Sequence, residues 1–135
     1  MKRRRLHRAT FLAAGLYNLA WGLFAVVDPG RLFRWSGMAP PRYPELFACL
    51  GMVVGLYGLL YLDVARRPEH GRLIATVGLA GKILGPAGWL LLHLRGDWPL
   101  ASGVLVLTND LVWWLPFGLY LADSRSEGRR DHAIA

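Results

Sequence analysis

Cysteine occurs once in these 135 residues, as Cys49. One thiol excludes an internal disulfide framework and any multi-cysteine metal site. Histidine occurs four times, at His7, His70, His93 and His132, with no metal-ligand spacing, so no metal site is expected. No phosphate-binding glycine loop is present, and no low-complexity segment or strong repeat. Acidic residues are few: nine, against sixteen lysines and arginines, for a net charge of +7. That surplus would suggest nucleic acid if it lay on one polar face. It lies instead between long apolar runs, so no nucleic-acid partner is expected and the chain reads as a polytopic membrane protein.

Residues 1–8 form a basic start and residues 123–135 a polar tail. Between them, over 9–122, lie four apolar runs: 9–27, 46–62, 73–94 and 99–122. Each approaches the ~20 residues that cross ~30 Å of hydrocarbon. The first stops at "DPG" (Asp28 to Gly30), and the second can be extended by Pro44 and Glu45 and by Asp63 to Ala65. Pro99 suits the first turn of the fourth. A basic start followed by an apolar stretch also describes a signal peptide. Asn18 interrupts that stretch and no small-x-small site follows, so the segment is read as a span. The expected fold is an all-α, four-helix transmembrane bundle.

Eleven basic residues fall on the side of the two termini, including Lys2, Arg129 and Arg130, and four on the other. That bias places both termini in the cytoplasm and makes the chain a multi-pass protein of a bacterial inner membrane. Trp35 and Trp98 then fall at the outer interface.

The sixteenth basic residue, Lys82, is mid-way along the third run, and Asp110 is mid-way along the fourth. Asn109, Asn18 of the first run and Tyr57 of the second lie at the same depth. A lone charge at the bilayer centre costs roughly 2.5–3.5 kcal/mol. Lys82 and Asp110 are therefore expected to form a mutual ion pair or a neutral hydrogen-bonded pair, with Asn18 and Asn109 meeting the remaining groups. The cluster has two readings: a clasp that fixes helix register, or a site that binds something or moves a proton.

Small residues surround it. Gly51, Gly55 and Gly58 share a face of the second helix, and Gly78, Lys82, Gly85 and Trp89 share one of the third. Pro86 frees the carbonyl of Lys82, and Pro116 that of Val112. Trp89, Trp113, Trp114 and Pro86 are candidate ligand-lining residues, the tryptophans for a flat ring or a cation. In the outer loop, Leu32, Phe33 and Trp35 are expected to dip inward. His7, His70 and His132 are expected to be solvated. Cys49 and His93 share a depth, and a nucleophile pair there is the weakest of these readings.

The order "YNLAWG", "RYPE", "GMVVGLYGLLY", "GLAGKILGPAGW" and "LTNDLVWWLPF" resembles small four-span bacterial membrane proteins, and its layout is loosely similar to DoxX-like membrane proteins. The resemblance spans about residues 10–122. It implies the bundle and carries over no catalytic residue; some DoxX-type proteins are tied to quinone-linked sulfur oxidation. Three functions remain open. The first is an accessory subunit or a lipid- or quinone-binding module, working in the bilayer with another membrane protein or with itself. The second is an oligomeric small-solute or proton-coupled transporter. The third is a membrane enzyme on a lipid-soluble substrate, with Lys82 or Asp110 as acid/base. The only cofactor expected is a bound lipid or quinone.

Overall fold

The computed structural model describes residues 3–134, with side chains through residue 125. Lys2 and the side chains of Arg129, Arg130 and His132 lie outside that description. Helix α1 spans Arg4–Val27, the short α2 Arg31–Trp35, α3 Pro44–Arg66 and α4 Arg72–Leu94. The fourth span, Leu100–Arg125, is broken. A 3-10 turn (Leu100–Ser102) leads into α5 (Gly103–Val106), a π turn (Leu107–Leu111) follows, and α6 (Val112–Ile134) completes it. Pro99 stands just before the span in extended backbone rather than in its first turn. These are four helices long and apolar enough to cross a membrane, and no strand occurs among the described residues.

Helices α1 and α3 form a glycine seam. In lipid, helices gain little from hiding apolar surface, so they adhere through close packing. A Cβ on Gly22 would come within 2.5 Å of the Gly51 carbonyl oxygen, and one on Gly58 within 2.8 Å of that of Gly15. One on Gly51 would reach 2.8 Å from the Ala25 methyl. Backbone touches backbone along this line, as the glycine spacing in α3 anticipates.

At the end carrying both termini lies an aromatic core. Phe11 packs on Phe117 and Tyr120, with ring centroids 4.7 and 4.8 Å apart, and Phe117 packs on Tyr61 at 5.2 Å. Below it the segments are tied by polar bonds. Tyr120 donates to the Pro68 carbonyl at 2.5 Å, and Arg8 to that of Ala65 at 3.1 Å. His7, expected to be solvated, is 1% exposed. Its Nε2 lies 2.9 Å from Asp123 Oδ2, and its ring meets Tyr120 edge-on. The carboxylate that makes this burial tolerable comes from the far end of the sequence.

The opposite end is closed by loops. Gly96, with φ 79°, turns the chain left-handed after α4, where a side chain would be strained. Its N–H donates to the His93 carbonyl, and that of Asp97 to Leu92. Helix α2 lies across this end with Leu32 buried, while Trp35 is 71% exposed and meets Phe24 and Arg31. Two of the three residues expected to dip inward do so: Leu32, and Phe33 against Phe47.

Candidate functional site

The face of α4 carrying Gly78, Lys82, Gly85 and Trp89 meets the rest of the bundle. Tyr61 fills the space over Gly78, and the Asp110 carboxylate lies against Gly85. Trp89 covers Gly103 and donates its indole N–H to Ser102 Oγ at 2.9 Å. Between them Lys82 enters the interior, only 5% exposed.

Lys82 and Asp110 do not pair directly. Lys82 Nζ donates to the backbone carbonyl of Asn109 at 2.6 Å and lies 5.7 Å from the Trp113 ring centre. Asn109 Nδ2 donates to Asp110 Oδ1 at 2.9 Å. Asn109 thus stands between the two charges, and no ion pair among the described residues includes either. Asn109 and Asp110 both lie in the π turn, whose backbone ladder is looser than an α-helix's, and the Asn109 carbonyl there meets the ammonium. Nor does Asn18 supply the expected support. Its Oδ1 is buried without a donor, as is Asn109 Oδ1.

Pro86 acts on the same spot. It cannot donate to the Lys82 carbonyl, and the Trp114 indole N–H takes that acceptor at 2.8 Å. Trp113 holds the lysine's charge and donates weakly to the Thr108 carbonyl at 3.3 Å. Trp113, Trp114 and Pro86 therefore serve the protein's own lysine and helix backbone. Of the four candidate lining residues, Trp89 alone lines a cavity described here.

Two cavities flank this cluster. The polar one, about 270 Å³, is lined by Asn18, Tyr57, Lys82, Asn109 and Asp110 together with Tyr61. All five polar residues matched by depth thus meet in one space. The aromatic one, about 240 Å³, lies toward the loop end, among Trp21, Phe33, Phe47, Trp89 and Trp98. Its inner wall is Gly85, Asn109 and Asp110, so Asn109 and Asp110 belong to both cavities. Trp98 is a cavity wall rather than only an interface anchor.

Of the aromatic lining residues, sequence reasoning did not name Trp21, Phe47 and Tyr61, and it expected Phe33 only to dip inward. The signal was present in the aromatic density of the loop ending "RLFRW" and in the aromatic partners on the first two spans. Cys49 is exposed, and His93 stacks on Trp89 while its Nδ1 meets the Trp98 carbonyl, so the two form no nucleophile pair. Among the described residues no group of histidine, cysteine and carboxylate side chains could hold a metal ion. Comparison of the chain with protein-family profiles, with curated proteins and with solved structures gave no match.

Proposed function

We propose that this chain is a small binding module for a lipid-soluble molecule, a lipid or a quinone, and acts as an accessory subunit of a bacterial inner membrane beside another membrane protein or its own copies. One observation carries the reading: an aromatic cavity and a polar cavity share the wall Asn109–Asp110, and the aromatic core of Phe11, Tyr61, Phe117 and Tyr120 packs between them and the terminal end. An apolar body with one polar group suits that arrangement, the body among the rings and the head at the shared wall. The same aromatic core stands between the polar cavity and the terminal end, which favours a binding pocket over a transporter built from one copy. For an enzyme the cleft offers Lys82, Asp110 and the hydroxyls of Tyr57 and Tyr61, but no hydrogen-bonded nucleophile–base pair among the described residues.

The test is purification in a mild detergent with mass spectrometry of everything that co-purifies. A lipid-soluble small molecule should be retained by the wild-type chain and lost from Trp89→Ala. Recovery of the chain alone, without small molecule or partner, sinks the proposal.

A further inference from the structure

We infer that the ligand's polar head is a cation, an ammonium group on an apolar body. The inference deepens the binding reading above and rests on it. It starts from the Asp110 carboxylate, which is 8% exposed. A buried carboxylate ordinarily has a cation partner, because an isolated charge is costly away from water. Asp110 makes no direct ion pair among the described residues, and Lys82 acts on it only across the intervening Asn109. Its Oδ1 accepts one amide proton from Asn109. Its Oδ2 lies against Gly85, on the wall of the aromatic cavity.

The nearby lysine is committed elsewhere, to the Asn109 carbonyl and the Trp113 ring. Asn109 Oδ1, in the same wall, is buried with no donor. That wall therefore presents the full negative charge of Asp110 to the cavity, with a second acceptor, Asn109 Oδ1, buried behind its surface. Around it stand three indoles and two phenyl rings, from Trp21, Trp89, Trp98, Phe33 and Phe47. Aromatic faces attract cations through the ring quadrupole, and a desolvated cage strengthens that attraction. A carboxylate at the foot of such a cage selects an ammonium over a neutral head of equal shape. A neutral quinone, whose head only accepts hydrogen bonds, would face acceptors with acceptors.

The ammonium could belong to a membrane lipid or to a free lipophilic amine, and one experiment separates them. The protein is held in dodecyl maltoside micelles. Binding of phenylpropyltrimethylammonium and of its uncharged carbon isostere is measured by equilibrium dialysis, corrected for uptake by empty micelles. The cation should bind at least about tenfold more tightly, and Asp110→Asn should bring the two within about threefold. Trp89→Leu should weaken the cation more than the isostere. Displacement by added phosphatidylethanolamine but not by phosphatidylglycerol assigns the site to a lipid head group; displacement by neither assigns it to a free amine. Equal binding of cation and isostere overturns the inference and leaves the binding module standing. Binding of neither overturns both. The wild-type comparison decides the matter even if Asp110→Asn does not fold.

Discussion

The α1–α3 seam and the α4 cleft meet the same problem, holding helices together in lipid, by opposite means. The seam removes side chains until backbones touch, with glycines at 15, 22, 51 and 58 packed to within a methyl group of one another. The cleft inserts polar side chains instead, and closes around Lys82, Asn109 and Asp110 with space to spare. The seam's glycine contacts leave no room for a ligand between them. The cleft has unpaired acceptors at its centre. Tight packing gives stability here, and incomplete polar satisfaction gives a site.

The largest expected effect lies in the seam. Gly22→Val places branched carbons where the Gly51 carbonyl and the Gly55 backbone already stand. The helices must part, at about 3 kcal/mol, the upper end of overpacking losses. Unfolding in mixed detergent should show it. A loss below about 1 kcal/mol would mean that the seam is softer than its contacts imply.

Next comes the cleft's polar bridge. Lys82→Leu removes a charged hydrogen bond to Asn109 and leaves the carboxylate as the cleft's only charge, at about 2 kcal/mol. The double change Lys82→Leu with Asp110→Leu should cost less than the two single changes added together. Because Asn109 intervenes, that coupling should be weaker than for a direct ion pair, and Asn109→Leu should reduce the coupling carried by its side-chain amide. Strict additivity in the same unfolding assay would show that the two charges act independently.

Gly85→Ala separates stability from binding within the cleft. A methyl there would sit 2.8 Å from Asp110 Oδ2 and push the carboxylate off the cavity wall. The expected stability loss is about 1 kcal/mol, with most retained ligand lost. Gly88→Ala, where open space surrounds the added carbon, is the control: it should keep its ligand and lose no stability, helix propensity adding roughly 0.5–1 kcal/mol. A Gly85→Ala chain that keeps its ligand would remove Asp110 from the proposed site.

The contrast also explains what the sequence disclosed. Spans and seam were legible because hydropathy and glycine spacing are local patterns. The depth of Asn18, Tyr57, Lys82, Asn109 and Asp110 followed from run boundaries alone, and all five line one cavity. The Lys82–Asp110 pairing was misjudged because the π turn at Leu107–Leu111 has no sequence signature to mark it. His7 was misjudged because its partner Asp123 is far along the chain. The aromatic cavity draws its five rings from five segments, α1, α2, α3, α4 and the loop after α4, and no single helical face contains it. Pro86 disclosed the freed carbonyl but not the Trp114 indole that fills it.

The smallest effect belongs to the hinge where seam becomes cleft. Asp28 follows α1, accepts from Arg31 at 2.9 Å and Arg34 at 2.8 Å, and so fixes α2, which carries Leu32 and Phe33 onto the aromatic cavity. Desolvation raises the pKa of its carboxyl, but the hydrogen bonds and charges of Arg31 and Arg34 together outweigh this and hold it below the ordinary 3.8. A depressed folded-state pKa contributes stability above the unfolded value, and that contribution is lost as pH falls through the lower folded value. Acid should therefore loosen α2 below about pH 3.8 while the seam, which has no titrating group among its glycine contacts, stays closed. Trp35, packed on Phe24 and beneath Arg31, reports the change by fluorescence. Asp28→Asn should give the loosened signal at every pH and abolish the acid step. An acid step that survives in Asp28→Asn would place the titrating group elsewhere, and would detach the cleft's outer wall from this pair of arginines.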